Sequence, residues 1–328
     1  MRRREFLALV GGTAAAWPLV AQAQQDGRVR RIGLLDAGDE ADGFLRARWD
    51  ALREGLATLG WIEGRNVRFD LRFSAGDPDR RRILADELVR VAPDVIVVTG
   101  GPTAQALLQR TQTIPIVFTS VGDPVAIGLL KNIARPEANA TGVAGQYQSL
   151  GGKWVELLKE AAPRTARVAL VFEAENVNDQ YFGVIDAAAD VLAVKAIRTP
   201  YRNAAELERV IDAFAAEPDG GLIMLPPPPS RGNRDSINRL ALKYRLPTMW
   251  QSKYLPAEGG MMGYGADGEE ARRTMASYVD RILRGAKISD LPVQFATKFE
   301  LVINLKTAKA IGLDIPATLV LRADELIQ

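Results

Sequence analysis

The chain has 328 residues, 47% of them hydrophobic, with 42 Lys and Arg against 40 Asp and Glu and neither histidine nor cysteine. That length and apolar content suit about two well-packed domains, and the near balance of charge gives no electrostatic basis for holding nucleic acid or an anionic membrane. Without thiol or imidazole, Ser-His-Asp and Cys-His nucleophile systems, disulfides and the common zinc and iron ligand sets are excluded.

The opening MRRREFLALVGGTAAAWPLVAQAQQ reads as an export signal. Phe6 to Ala21 carries no charge, yet it is shorter than the roughly 18 apolar residues of a membrane span. Ala21-Gln22-Ala23 fits small-x-small cleavage, and Arg3-Arg4-Glu5-Phe6-Leu7 fits the twin-arginine pattern; an ordinary secretory signal with incidental arginines is the alternative. Cleavage after Ala23 would start the mature chain at Gln24 and remove Arg2, Arg3, Arg4 and Glu5, leaving basic and acidic residues in balance. With no cysteine there is no lipid attachment site and no direct membrane anchor, so the expected location is free in the periplasm.

Beyond the signal, apolar runs with strand character alternate with helical segments. RIGLLDAG precedes a helix near 46–59, NVRFDLRFS a helix near 79–91, and DVIVVTGG a helix near 103–111, with IPIVFTSVGD closing the series. This alternation predicts a parallel sheet with helices on both faces, and the unbroken Val/Ile run at 95–98 suits a strand buried on both sides. The pattern restarts with RVALVFEAE near 167–175, a helix over 179–193, a short strand at 196–200, a helix near 204–215, GGLIMLPPPP, a helix near 233–244 and LPTMWQS. PDVIVVTGGPTAQALLQRTQTIPIVF and PDGGLIMLPPPPSRGNRDSINRLALKYRLPTMW share one order of strand, breaker-rich loop, helix and strand, a likeness that convergent α/β design would also produce.

Two glycine-containing stretches, NATGVAGQY (139–147) and EGGMMGYGADG (258–268), lie between regular elements as hinges or as ordinary loops. EARRTMASYVDRILRG predicts a helix over 269–284, with Met275, Tyr278, Val279, Ile282 and Leu283 on one face and Gly285 at its C-cap. KFELVINLKTAKAIG gives a final strand and helix, and the tail beyond Pro316 shows no firm pattern.

Asp36, Asp39, Glu40, Asp123, Glu173 and Glu175 sit in or near loops after predicted strands, where a catalytic carboxylate pair is one reading and ordinary loop acids the other. No G-x-G-x-x-G follows the first strand, and VTGGPTAQ lacks the lysine and length of a P-loop, so no nucleotide cofactor is expected. Doubly wound sheets bind ligands beyond the carboxyl ends of their strands, where strand order reverses. A 2-1-3-4-5 order in each copy would bring together loops 36–42 and 99–104 in the first, and 173–178 and 226–231 in the second.

In TGGPTAQ, which begins at Thr99 and Gly100, Gly101 as N-cap and Pro102 as first helical residue would turn the amides of Thr103 and Ala104 and the Thr103 hydroxyl toward a carboxylate. A plain tight turn is the other reading. FTSVGDP offers Thr119, Ser120 and Asp123 to an ammonium or hydroxyl group, and Asp123 before Pro124 also suits a turn or helix cap. On the opposite copy, FEAENVN presents Glu173 and Asn176, LPPPPSRG makes a stiff wall from Pro226, and MWQSKY supplies Trp250 and Gln251. Tyr147 and Tyr264 lie in the two glycine stretches. Aromatic rings there suit a planar solute, and a buried tryptophan equally suits a core.

Several segments together resemble the periplasmic substrate-binding proteins of ABC importers, in the family that includes receptors for tryptophan and other aromatic amino acids. They are LVRVAPDVIVVTGGPTAQAL, IPIVFTSVGDPVAIGLLKNIARPEANATGV, GGKWVELLKEAAP, LPTMWQSKYLPAEGGMMGYGAD and LPVQFATKFELVINLKTAKAIGLDIPATLVLRADELI, which run from about residue 30 to the end. The resemblance implies an α/β fold of two doubly wound, Rossmann-like lobes joined by a three-crossover hinge, the type 1 periplasmic binding protein fold, with its third crossover near 292–299. It implies one lobe from 24–141 plus 264–293 and another from 142–263 plus 294–328. It places the 99–103 and 119–123 loops, the loop after 172, the 226–230 loop and Tyr264 at the cleft, although FEAENVN and PPPPSRG depart from the family's usual forms. The expected ligand is a small organic solute, an amino acid or related carboxylate, with an aromatic one among the candidates; an ABC permease and its ATPase are the partners that the resemblance implies. No catalytic activity, cofactor or metal is expected. An exported enzyme using carboxylates across the same cleft, or a solute sensor for a membrane signalling protein, are the competing expectations.

Overall fold

The computed structural model describes residues 28–145, 147–174, 180–226 and 230–328. The export signal with its twin-arginine motif and Asn176 lie outside the described residues. The first series of elements is β1 (Arg30–Asp36), α1 (Gly43–Thr58), β2 (Val67–Phe73), α2 (Pro78–Arg90), β3 (Val95–Thr99), α3 (Gly101–Leu108), β4 (Ile116–Val121) and β5 (Ala140–Ala144). Its strands are parallel in the order β2-β1-β3-β4-β5, the order assumed from the repeated pattern. All five residues of β3 are buried, as a Val/Ile run covered on both faces requires. Helix α2 starts where Asp77 accepts the amides of Asp79 and Arg80 ahead of Pro78, so capping and a pre-set φ fix its position.

The second series is α4 (Tyr147–Ala161), β6 (Arg167–Glu173), α5 (Gln180–Val191), β7 (Lys195–Tyr201), α6 (Ala204–Ala215), β8 (Gly220–Met224), α7 (Arg231–Tyr244), β9 (Thr248–Trp250) and β10 (Met262–Ala266). Its strands run β7-β6-β8-β9-β10, the same 2-1-3-4-5 winding. The two segments that share a sequence pattern are therefore equivalent units: β3–α3–β4 in one sheet and β8–α7–β9 in the other. Helix α8 (Gly268–Leu283) returns to the first sheet and is followed there by β11 (Gln294–Phe295) beside β5. β12 (Phe299–Asn304) then adds antiparallel to β10, and after α9 (Leu305–Ala310) and α10 (Ala317–Val320) the final β13 (Glu325–Ile327) pairs parallel with β12.

The chain crosses between the sheets three times, between Ala144 and Tyr147, between Ala266 and Gly268, and between Phe295 and Phe299. The third crossing falls within the span that the resemblance implies. Met275, Tyr278, Val279, Ile282 and Leu283 of α8 pack on Trp49, Leu52 and Leu56 of α1, so the helical spacing read from the sequence marks a core face. Gly285, at φ +97°, follows the helix end.

Each of the two glycine stretches contains a strand of a sheet and, at its end, one of the crossings, the place a hinge reading gave it. A Cβ on Gly142 of β5 would lie 2.0 Å from the Phe118 carbonyl oxygen, where β4 bulges between Phe118 and Val121. Cβ atoms on Gly263 and Gly265 of β10 would lie 2.2 Å from the Ser252 oxygen and 2.3 Å from the Gln251 oxygen. These glycines let two backbones approach closely, a packing role rather than rotational freedom.

Candidate functional site

The carboxyl ends of the first sheet's strands carry a set of buried polar groups. Asp36 ends β1 at 2% exposure; its Oδ1 accepts the Gly38 amide at 2.8 Å, and the Arg48 guanidinium of α1 stands 3.7 Å from its Oδ2. Thr99 ends β3, and Thr119 pairs with it across β4; both are buried. Ser120 is exposed and left-handed at φ +55°, the conformation forced on it by the bulge.

At α3 the structure corrects the expected cap by one residue. Gly100, at φ +83°, is the N-cap and Gly101 the first helical residue, because only glycine takes that backbone angle without strain. The Ala104 amide donates to the Gly100 carbonyl at 3.1 Å, so it is spent inside the helix and is not turned toward a ligand. Thr103 lies one turn in and is fully buried. Asp123 is exposed and caps a turn, its Oδ1 accepting the amides of Val125 and Ala126 at 2.9 and 3.1 Å.

Across the second sheet, Glu173 ends β6 half-buried and accepts the Tyr201 hydroxyl at 3.4 Å. Burial, and then the Glu173 carboxylate, push the Tyr201 phenol well above its ordinary range, so it stays protonated as a donor. Pro226 follows β8, half-buried. Tyr264 on β10 is half-buried with its ring 6.2 Å from that of Phe299, and its carbonyl accepts the buried Trp154 indole at 2.9 Å. Tyr147 is the first residue of α4, at the first crossing. Trp250, expected at the cleft, is instead fully buried in the core with Leu207, Ile211, Ile237 and Leu255. It is the last residue of a three-residue strand, and the next position, Gln251, takes the strand-end place.

Among the described residues, the Thr103 hydroxyl, Asp36 Oδ2 and both polar atoms of the Gln251 amide are buried with no hydrogen-bond partner. A buried amide or hydroxyl left unpaired costs about 1–3 kcal/mol; Trp49 Nε1, Trp250 Nε1 and Asn238 Oδ1 are likewise buried without a hydrogen-bond partner, the two indoles within the core. Thr103, Asp36 and Gln251 each sit at a strand's carboxyl end or in the helix that follows it.

The sequence reading missed an ion group that joins the two halves. Arg234 of α7, only 2% exposed, donates from Nη1 to Asp42 Oδ2 at 3.0 Å and from Nη2 to Asp42 Oδ1 at 3.3 Å, while Nε donates to Glu258 at 2.8 Å. One signal was legible: Arg234, Ile237, Asn238 and Ala241 fall at i, i+3, i+4 and i+7, which puts a charge in the buried stripe of α7.

The second and third crossings are tied to each other. The Asp267 amide donates to the Lys298 carbonyl at 2.9 Å; Lys298 Nζ reaches Asp267 at 3.4 Å and Glu300 at 2.6 Å; Lys253 pairs with the same two carboxylates. The Lys253 and Lys298 ammonium groups hold the Glu300 carboxyl below its ordinary value. Burial works to raise Asp267, but the Glu269 amide and Lys253 outweigh it and hold that carboxyl down as well. A carboxylate lowered in the folded state contributes stability above its ordinary pKa and loses it as pH falls through the lowered value. The tie is therefore intact at pH 7 and weakens below about pH 4.5, the ordinary value for Glu. Urea midpoints are expected to drop less steeply over that acid range in Lys253→Met than in the native chain; parallel slopes would remove these residues from the acid response.

Residues 40–327 match the family model described as ABC transporter substrate binding protein. The tyrosine-binding protein of Clostridioides difficile strain R20291 is 24% identical over 280 residues, covering 83% of this chain and 76% of that protein. A conserved domain protein from Vibrio cholerae O1 biovar El Tor strain N16961 superposes with a TM-score of 0.82 at 28% identity, over 91% of this chain and all of that one. The ABC domain in complex with L-Trp from Streptococcus pneumoniae superposes with a TM-score of 0.79 at 20% identity, over 91% of this chain and 99% of its own. The family match takes in every strand of both sheets except β1 and all three crossings, so the chain belongs to the ABC transporter substrate-binding proteins.

Proposed function

We propose that the protein is the exported receptor of an ABC importer, and that it captures an amino acid or related carboxylate with an aromatic side chain between its two sheets. The observation that carries this reading is the Thr103 hydroxyl and the Gln251 amide, buried without a hydrogen-bond partner just beyond strand ends, which a ligand rich in donors and acceptors would satisfy beside the Asp36–Arg48 ion pair. Ser120 and Glu173 offer further polar contacts, and Tyr264 offers an aromatic surface. Contacts from both halves exist together only when the cleft is shut, so solute shifts the open–closed equilibrium by its differential affinity. The leader would deliver the chain to the periplasm, where a membrane permease and its ATPase would receive the solute. L-tyrosine and L-tryptophan are the first probes, since a tyrosine-binding relative and an L-Trp complex share this fold.

A ligand at about 100 times its Kd adds about 2.7 kcal/mol to native-state stability. One of a panel of aromatic and aliphatic amino acids and small carboxylates is therefore expected to raise the melting temperature by several degrees. Mass analysis should return that solute unchanged. A panel without any thermal shift would sink the capture reading, and turnover of the bound solute would replace it with an enzymatic one.

A further inference from the structure

The Asp42–Arg234–Glu258 group has an asymmetry that bears on opening and closing. Asp42 belongs to the first half: it lies in the loop after β1, and its carbonyl accepts the amides of Leu45 and Arg46 at the start of α1. Arg234 and Glu258 both belong to the second half. Glu258 ends a short 3-10 turn, Leu255–Glu258, whose backbone is held beside α7 because Asn238 Nδ2 donates to the Glu258 carbonyl at 2.9 Å. Separation of the halves would leave Arg234 with Glu258 and take Asp42 away.

We propose that this group is a reversible latch, in which the Asp42–Arg234 fork holds the two halves shut irrespective of which solute lies between them. Two parallel N–H···O bonds between a guanidinium and a carboxylate form the strongest common ion pair, and here both side chains are withdrawn from water. A guanidinium stripped of every carboxylate while still buried would be costly, and such a contact would lock rather than latch. Glu258 removes that obstacle by staying with Arg234 as Asp42 departs and is rehydrated. The latch would thus set a constant contribution to affinity for every solute, while the strand-end groups choose among solutes. Its purpose rests on the capture reading; its existence does not.

The two carboxylates must then act differently. Asp42→Asn weakens a bond found only in the shut form and should lower the closed-to-open ratio about thirty-fold, the low end of the range for losing a buried charged partner. Glu258→Gln weakens the bond that Arg234 keeps in the open form, so it should leave the ratio unchanged or raise it. Small-angle scattering of native, Asp42→Asn and Glu258→Gln proteins, with no solute added, reads this out, and circular dichroism establishes that each is folded. The expected result is a larger radius of gyration for Asp42→Asn alone. Equal radii for Asp42→Asn and the native chain, or equal expansion in both variants, would overturn the latch. Because no solute is used, that outcome would leave the capture reading standing, and a failed solute panel would leave the latch standing.

Discussion

Gln251→Leu is expected to melt a few degrees higher than the native protein and to bind its solute at least ten-fold more weakly. Leucine is close to glutamine in volume, so the site keeps its packing, while the buried amide loses two unsatisfied polar atoms. Each such atom costs about 1–3 kcal/mol when left without a partner, and a gain near 1–2 kcal/mol would move the midpoint of a chain this long by about 2–3 °C. The same amide is what a bound solute would pair with, so its removal should cost affinity in similar measure. Scanning calorimetry and titration calorimetry with the solute found by thermal shift measure the two sides separately. A variant that is less stable and binds equally well would show that Gln251 serves the core.

Gly142→Ala is expected to be the most damaging single-methyl change in the first sheet, costing more than about 3 kcal/mol or preventing folding. The added Cβ would stand 2.0 Å from a carbonyl oxygen and 2.7 Å from an amide nitrogen, both of Phe118. These are backbone atoms of the neighbouring strand, with no flexible side chain to yield. Relief would require straightening the bulge that turns Ser120 outward, so variants that fold should also bind more weakly. Gly232→Ala supplies the contrast, because that helical glycine has nothing within 4 Å of its missing Cβ and should gain about 0.5–1 kcal/mol. Urea unfolding of both variants tests the pair; losses of equal size would show that strand contact is not what Gly142 is for.

The winding of both sheets was legible because strand and helix periods alternate cleanly along the chain, as at Val95–Thr99 and across the Met275–Leu283 face. Its weak points were short elements and glycine. β11 has two residues, too few to show any period, and β10 reads Met-Gly-Tyr-Gly-Ala, where glycines needed for close approach look like loop punctuation. Trp250 and Gln251 show why site residues are harder to read than elements: adjacent in sequence, one ends a short strand inside the core and the other is the first residue beyond that strand. The Asp42–Arg234 pair is 192 positions apart, and only the placement of one half against the other reveals it. The buried stripe of α7 marked Arg234 as needing a carboxylate but could not say which one.

The threefold passage of the chain between sheets also governs the order in which a nascent molecule can mature. Trp49, Leu52 and Leu56 emerge early, yet their cover on α8 is not made until residue 283, and the last strand of that sheet ends at Phe295. The other sheet waits for Ile327. Neither half can finish while the ribosome is still at work on the middle of the message, so both must complete nearly together, through contacts of long sequence separation that form slowly. A refolding rate below that of a single-pass α/β domain of similar size is the outcome expected of that wiring.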